Sequence, residues 1–235
     1  MNKKLLILLF LLPIRIFSQN LVPNADFENK NGCPTSPGQF KLAEDWFSPN
    51  SATPDYFNDC SNVMDYGTEF NCKGGQIAHS GHAYMGFISE DLHRNEYFEY
   101  IETKLKEPLV KDLVYCIRMF ISHGTSSCSL RELGVLFSQN PVMGLAKGEI
   151  HLPYASVANG MVLSDENAWM CIHGTYTAKG GETYITIGDF SSGDNFVLNQ
   201  NDPKADPAFK SVYYFIDDVS VETISVAGCN CAEGK

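Results

Sequence analysis

Short apolar runs with a two-residue period, cut off by clusters of glycine and serine, constrain this chain more than any other feature. Residues 113–121 put Leu113, Tyr115, Ile117, Met119 and Ile121 on one face and Val114, Cys116, Arg118 and Phe120 on the other. Such a mostly apolar run reads as a central strand. Residues 170–177 alternate as a strand with one buried face, 183–190 place Ile185 and Ile187 together, and 212–221 form the longest run, interrupted by Asp217 and Asp218. Further strands are expected at 21–28, 83–89, 96–104 and 133–138. Turn-formers such as Gly74-Gly75, Ser80-Gly81 and Gly180-Gly181 separate the runs. No helical period of 3.6 persists for three turns, so the expected class is all-β, an antiparallel sandwich or barrel. The even spread of strands leaves no linker, and residues 19–224 are read as one β-sandwich domain. Residues 199–207, polar and holding two prolines, are read as a surface loop, and 225–235 as a cysteine-containing tail.

The first eighteen residues carry Lys3 and Lys4, then an apolar run at 5–12, then Pro13 to Ser18. A cationic start, an apolar stretch too short for a bilayer and a small final residue read as a cleaved secretory signal peptide over 1–18. No later stretch approaches the ~20 apolar residues of a membrane helix, so no transmembrane segment is expected in the mature chain. The expected location is therefore outside the cytoplasm: periplasm, outer-membrane surface or extracellular space. With 17 Lys+Arg against 28 Asp+Glu the net charge is -11, and loss of Lys3, Lys4 and Arg15 with no acid takes it to -14. A surface of that sign repels phosphate backbones, which argues against a nucleic-acid partner.

All 8 cysteines lie beyond the signal. An even number in an exported chain reads as a set of disulfides, with more pairings open than spacing can choose among. Zinc would want close pairs of the C-x2-C kind, and only Cys229-Asn230-Cys231 comes near. Cys116 with Cys171 is one expected pair, because both fall in predicted strands on faces with polar neighbours.

Period two in the last run sets Asp217 on the side of Phe215, Val219 and Val221. A carboxylate there is costly unless paired, hydrogen-bonded or metal-bound. Calcium accepts several hard oxygen ligands, and Asp26 or Glu28 supplies a second carboxylate if the two ends of the domain lie side by side. The alternative is that Asp217 or Asp218 caps a turn or accepts backbone hydrogen bonds without metal.

An Asn-x-x-Phe-Glu opening at Asn24–Glu28, a tryptophan soon afterwards and a closing Ile216-Asp217-Asp218-Val219 strand resemble the galactose-binding-domain-like jelly rolls that include many carbohydrate-binding modules. That resemblance implies a structural calcium shared by Glu28 and Asp217. Cys33-Pro34, Ala43-Glu44-Asp45-Trp46, Thr53-Pro54-Asp55-Tyr56, Cys60, Ser80-Gly81-His82-Ala83-Tyr84 and Gly174-Thr175-Tyr176-Thr177, in that order, resemble the N-terminal module of OmpA-like outer-membrane proteins of Gram-negative bacteria. This likeness runs over nearly the whole mature chain and implies a Cys33 to Cys60 bridge around Trp46. The peptidoglycan-binding domain of those proteins has no counterpart in this sequence, so no peptidoglycan role is carried over.

Local catalytic motifs are missing: there is no G-x-S-x-G, no H-E-x-x-H and no EF-hand loop. His79 and His82 share a metal only if the turn brings their rings together, and otherwise are polar loop residues. Sugars are commonly held on aromatic rings, and Tyr84, Tyr97, Tyr100, Tyr176, Tyr184, Tyr213 and Tyr214 are candidates for a platform or for the core. The expected function is a non-catalytic binding module of the bacterial envelope, its partner a glycan. A structural or adhesive role against another envelope protein, and a carbohydrate-active jelly roll, are the alternatives.

Overall fold

The computed structural model describes residues 19–91, 97–125, 128–143, 148–158, 160–191, 196–198, 211–224 and 228–231. The expected signal peptide at 1–18 and the expected loop at 199–207 lie outside the described residues. Within them the strands in chain order are β1 Trp46–Phe47, β2 Asp55–Asn58, β3 Ala83–Asp91, β4 Ile101–Lys104, β5 Val114–His123, β6 Cys128–Leu130, β7 Gly134–Ser138, β8 Ala155–Ser156, β9 Met170–Thr177, β10 Tyr184–Gly188, β11 Phe196–Leu198 and β12 Ser211–Thr223. One sheet has the order β1-β4-β10-β7-β8, the other β2-β3-β12-β5-β9, and β6 with β11 makes a separate ribbon. Every pairing is antiparallel. Because the chain crosses repeatedly from one sheet to the other, the architecture is the expected jelly-roll sandwich. The helical content among the described residues is one 3-10 turn at Phe40–Leu42. None of the described helical structure is long and apolar enough to cross a membrane.

Alternation explains the packing. Ile117, Met119 and Ile121 of β5 meet Tyr214 and Ile216 of β12, Met85 and Phe87 of β3, and Ile185 and Ile187 of β10 in one core between the sheets. Each such side chain contributes roughly 1.5–3 kcal/mol when withdrawn from water. Both outer faces are also partly covered. Phe57, Tyr84, Tyr213 and Phe215 form a second cluster beneath residues 59–82, with Tyr66, Ala78 and Trp169 packed against it. On the opposite sheet Tyr100, Leu136, Ile150 and Phe190 pack with Val142 and Tyr154.

The expected strand at 21–28 is an irregular segment instead. Asn24 and Phe27 adopt φ of 41° and 57°, outside the extended region a strand needs. The two ends nevertheless lie side by side, with the Leu21 amide donating to the Val221 carbonyl and the Val219 amide to that of Ala25. Asn24 fixes this bend by accepting from the Asn29 amide and donating to the Asn29 and Glu44 carbonyls.

Cys33 is bonded to Cys60, Cα to Cα 5.6 Å. Cys116 and Cys171 do not form the expected pair: Cys116 is bonded to Cys229 and Cys171 to Cys231. The β5–β9 register supplies the reason. Thr175 lies opposite Cys116 and Phe120 opposite Cys171, so the two cysteines stand four positions apart, roughly 13 Å at the rise of a strand. A disulfide needs Cα atoms within about 7 Å. Cys72, exposed, and Cys128, buried, stand outside these three bonds.

Candidate functional site

Asp217 lies where the last strand breaks its own period. In the β12–β5 ladder Asp217 faces Phe120 and Ser220 faces Arg118, so three steps on β12 match two on β5, and Asp218 takes φ of 48°. This β-bulge inserts one residue and reverses the side-chain parity beyond it. Phe215 and Asp217 consequently face the outer side, while Val219 and Val221 return to the core. The expected placement of all four on one face therefore fails at the bulge.

The turn at residues 79–82 lies over that bulge, tied down by four carboxylates. Asp217, fully buried, accepts from the His79 amide at 2.9 Å and the Ser80 amide at 3.1 Å through Oδ2, and from the Asp218 amide at 2.7 Å through Oδ1. Asp218 takes His79 Nδ1 at 2.5 Å and the Ser80 hydroxyl at 2.7 Å. Glu28 accepts from the His82 amide at 2.6 Å, and Asp59 contacts His82 Nδ1 at 2.8 Å. Burial and the neighbouring Asp218 push Asp217 up from the usual carboxylate range, while its three amide donors pull the other way and favour the ionised form. Glu28 and Asp217, the expected calcium pair, thus both serve this turn. The groups that meet Glu28 Oε1 and both Asp217 oxygens are backbone N–H donors, which complement a carboxylate and repel a cation, so these oxygens as placed do not fit a shared calcium. Among the described residues no group of three or more His, Cys, Asp or Glu is placed to hold a metal ion.

Beside the turn the outer face of the second sheet opens into a trough of about 400 Å³, lined by Asn20, Ala25, His79, Arg118, Phe120, Asp218, Ser220, Glu222 and Cys231. Alternation of β5 and β12 builds its floor, because Arg118 and Phe120 point away from the core side chains Ile117 and Met119. Arg118 and Glu222 pair at 3.7 Å, each about a quarter exposed. The His79 ring stacks on Phe120 with centroids 3.5 Å apart and meets Trp169 edge-on at 6.1 Å. Ring stacking and the Asp218 bond together fix the imidazole. The trough is thus lined by the stacked His79–Phe120 pair, a guanidinium and two carboxylates within one small volume. A larger hollow of about 660 Å³ beside Phe40 and Phe47 has Lys41 as the one ionisable side chain among its described lining residues, and lacks such convergence.

Of the seven tyrosines considered as a platform, Tyr84, Tyr97, Tyr100, Tyr213 and Tyr214 are buried and their hydroxyls are held inside, as when Tyr213 donates to Asp55 at 2.7 Å and Tyr100 to the Asp189 carbonyl at 2.6 Å. Tyr176 and Tyr184 are half-buried. Sequence reasoning missed Phe120 and Arg118, although their shared face on a predicted strand was the available signal.

Two constellations bear on catalysis. Ser129 Oγ lies 3.3 Å from His123 Nε2, whose Nδ1 lies 3.5 Å from Glu166, but His123 Nε2 donates to the Cys128 carbonyl at 2.7 Å and both Ser129 and His123 are buried. Asp55 and Glu99 converge near Tyr213, yet both are buried with their oxygens holding Gly38, Tyr213, Ile88 and Tyr97. Neither group is open to a substrate in this conformation.

No family model matches the sequence, and no curated protein matches it. Solved structures do. A xylan-binding CBM22-1 domain of Xyn10C from Paenibacillus barcinonensis has a TM-score of 0.43 at 10% identity, over 80% of this chain and 90% of that one. TmCBM61, solved with β-1,4-galactotriose, gives 0.40 at 13% identity over 88% and 99%. The K3 cleaved adhesin domain of Lys-gingipain from Porphyromonas gingivalis W83 gives 0.38 at 13% over 88% and 99%. The assignment of this chain to the jelly-roll sandwiches rests on its own sheets and registers.

Proposed function

We propose that this chain is an exported, non-catalytic binding module of the bacterial envelope, of the galactose-binding-like kind, which holds a glycan in the trough over β5 and β12. The observation that carries this reading is the stacked Phe120–His79 pair with Arg118, Glu222 and Asp218 around it. An apolar ring with a few convergent polar groups suits a polyhydroxylated ligand, whose C–H faces pack on carbon while its hydroxyls both donate and accept. Three disulfides support export, since such bonds persist in oxidising compartments. The envelope part of the proposal rests on the order of short motifs, which resembles the N-terminal module of OmpA-like outer-membrane proteins.

A glycan array on the mature chain, followed by calorimetric titration of the hits, tests this. Arg118→Ala and Phe120→Ala are expected to weaken binding by at least about tenfold each, or about 1.4 kcal/mol, with the melting temperature within a few degrees of the parent. Absence of any glycan hit would sink the proposal.

One observation favours the second reading, a structural or adhesive component that contacts protein. Met64, Phe70 and Ile77 are 76%, 63% and 67% exposed within the single excursion over 59–82. If that reading holds, cross-linking in intact envelopes attaches a protein at these positions, and Met64→Ser with Phe70→Ser abolishes it.

A further inference from the structure

The segment Gly228–Cys231 is held to the outer face of the second sheet by two disulfides. Cys116, Arg118 and Phe120 share that face of β5, and their partners on β9 are Thr175, His173 and Cys171. On the other side of β5 the partners of Cys116 and Arg118 are Glu222 and Ser220. The row Ser220–Arg118–His173 therefore runs between the two anchoring cysteines, and the segment bonded to both passes across it. Cys231 itself lines the trough.

The two anchors differ in access. Cys116 is 5% exposed, and Cys229 Sγ sits 3.2 Å from the Gly174 carbonyl and 3.9 Å from that of Ile117. Cys229, Cys171 and Cys231 are all half-buried, but Cys171 lacks the burial of Cys116, and Cys231 stands at the open trough. Resting on the reading of the trough as the ligand site, we propose that Gly228–Cys231 is a strap over one end of that site, latched by Cys171–Cys231, hinged at Cys116–Cys229, and released by a dithiol.

The exchange balances as follows. One thiolate of the dithiol attacks Cys231 Sγ, forming a mixed disulfide and expelling the Cys171 thiolate, which takes a proton from water. The second thiolate of the same dithiol attacks its own sulfur in the mixed disulfide, closing a cyclic disulfide and leaving Cys231 as a thiol. The protein gains two electrons and two protons, and the dithiol loses them. With Cys116–Cys229 intact the strap stays tethered, and its lifting extends the trough from Arg118 across β9 to His173.

The test uses the full mature chain with Cys72 alkylated beforehand, so that its exposed thiol takes no part. Dithiothreitol is titrated in, the opened cysteines are mapped by differential alkylation and peptide mass spectrometry, and histidine accessibility is followed with diethyl pyrocarbonate. Cys171–Cys231 should open at a lower dithiol concentration than Cys116–Cys229, and carbethoxylation of His173 should accelerate several-fold in step with it. His82, already 72% exposed, is the internal standard and should not change. Cys33–Cys60, exposed and not among the residues lining the trough, serves as a second one: its opening should leave His173 unaffected. Cys231→Ser should show the fast His173 rate without reductant.

Opening of the two strap disulfides only together with loss of tertiary structure, or an unchanged His173 rate once Cys171 and Cys231 are free, overturns the strap. A failure of the glycan reading is distinguishable, because it would appear as no glycan binding by the oxidised protein, whatever His173 does. If glycan binds, reduction should change its affinity in parallel with the His173 rate, and an affinity indifferent to the latch counts against the proposal.

Discussion

At Asp217 the number and kind of hydrogen-bond donors decide what a substitution does. Three backbone N–H groups converge on its two oxygens, and none of the three can reverse direction. Asp217→Asn replaces one acceptor oxygen by an amide nitrogen that must face an N–H, and should cost about 1–3 kcal/mol. Glu28 accepts one such bond, from His82, and Glu28→Gln keeps an oxygen for it, so its cost should stay below about 0.5 kcal/mol. Shared calcium ligation makes the contrary forecast, since both substitutions would then hurt alike and chelator would lower the melting temperature. Thermal melts of the two variants and of the parent with and without chelator separate the cases; equal losses and chelator sensitivity would restore the metal. That Asp217 is special was legible in the sequence, because a carboxylate in an apolar run demands a partner. Its partners were not legible, because the His79 and Ser80 amides lie far away along the chain and a bulge hides the parity.

Strands of five or more residues were readable as elements: β3, β5, β7, β9, β10 and β12 lie within a few residues of their expected bounds, although β12 reverses its parity at the bulge. Of the short ones only β4, inside the run expected at 96–104, was readable. β1 and β8 have two residues each, and β2 reads Asp-Tyr-Phe-Asn, a composition that belongs to turns until the sheet buries all four. Pairing across a sheet also decided what spacing left open, since the β5–β9 register alone separates Cys116 from Cys171. Element packing gives a further prediction at Gly86 of β3. A Cβ there would lie 2.3 Å from the Tyr213 hydroxyl and 2.8 Å from its ring. Tyr213 is itself fixed by Asp55 and is overlain by Lys73 Nζ at 4.9 Å from the ring centroid. Gly86→Ala should therefore displace Tyr213 from Asp55 and destabilise by about 1–3 kcal/mol, the usual range for overpacking. A urea midpoint within error of the parent would show that the β3–β12 contact has slack the close approach does not suggest.

Over the whole molecule, buried acids couple stability to pH. Burial pushes Glu99 and Glu102 from 4.5 up to about 7. Each accepts from one fixed amide, Ile88 or Val142, and one hydroxyl, Tyr97 or Thr186. A hydroxyl can turn from donor to acceptor, so the protonated carboxyl stays hydrogen-bonded at both oxygens, which three fixed amides do not permit at Asp217. Glu99 and Glu102 thus hold two protons in the folded chain that they have released in the unfolded chain between pH ~4.5 and ~7. Their stabilising effect is complete below about 4.5 and is lost as pH rises through about 7, on the order of 1–3 kcal/mol per group. The opposite limb comes from Glu182: burial raises it, but the Lys179 and Gly180 amides and the Tyr176 hydroxyl outweigh that and hold it low, so its contribution is lost in strong acid. Melting temperature should accordingly be higher at pH 5 than at pH 8, even though the acidic surface alone, with 28 Asp+Glu, favours the same direction through reduced self-repulsion. Glu99→Gln with Glu102→Gln distinguishes the two causes, because glutamine mimics the neutral carboxyl and leaves the surface intact. The double variant should lose most of the slope between pH 5 and 8 and be the more stable protein at pH 8. A slope as steep as the parent's would assign the pH dependence to surface charge instead.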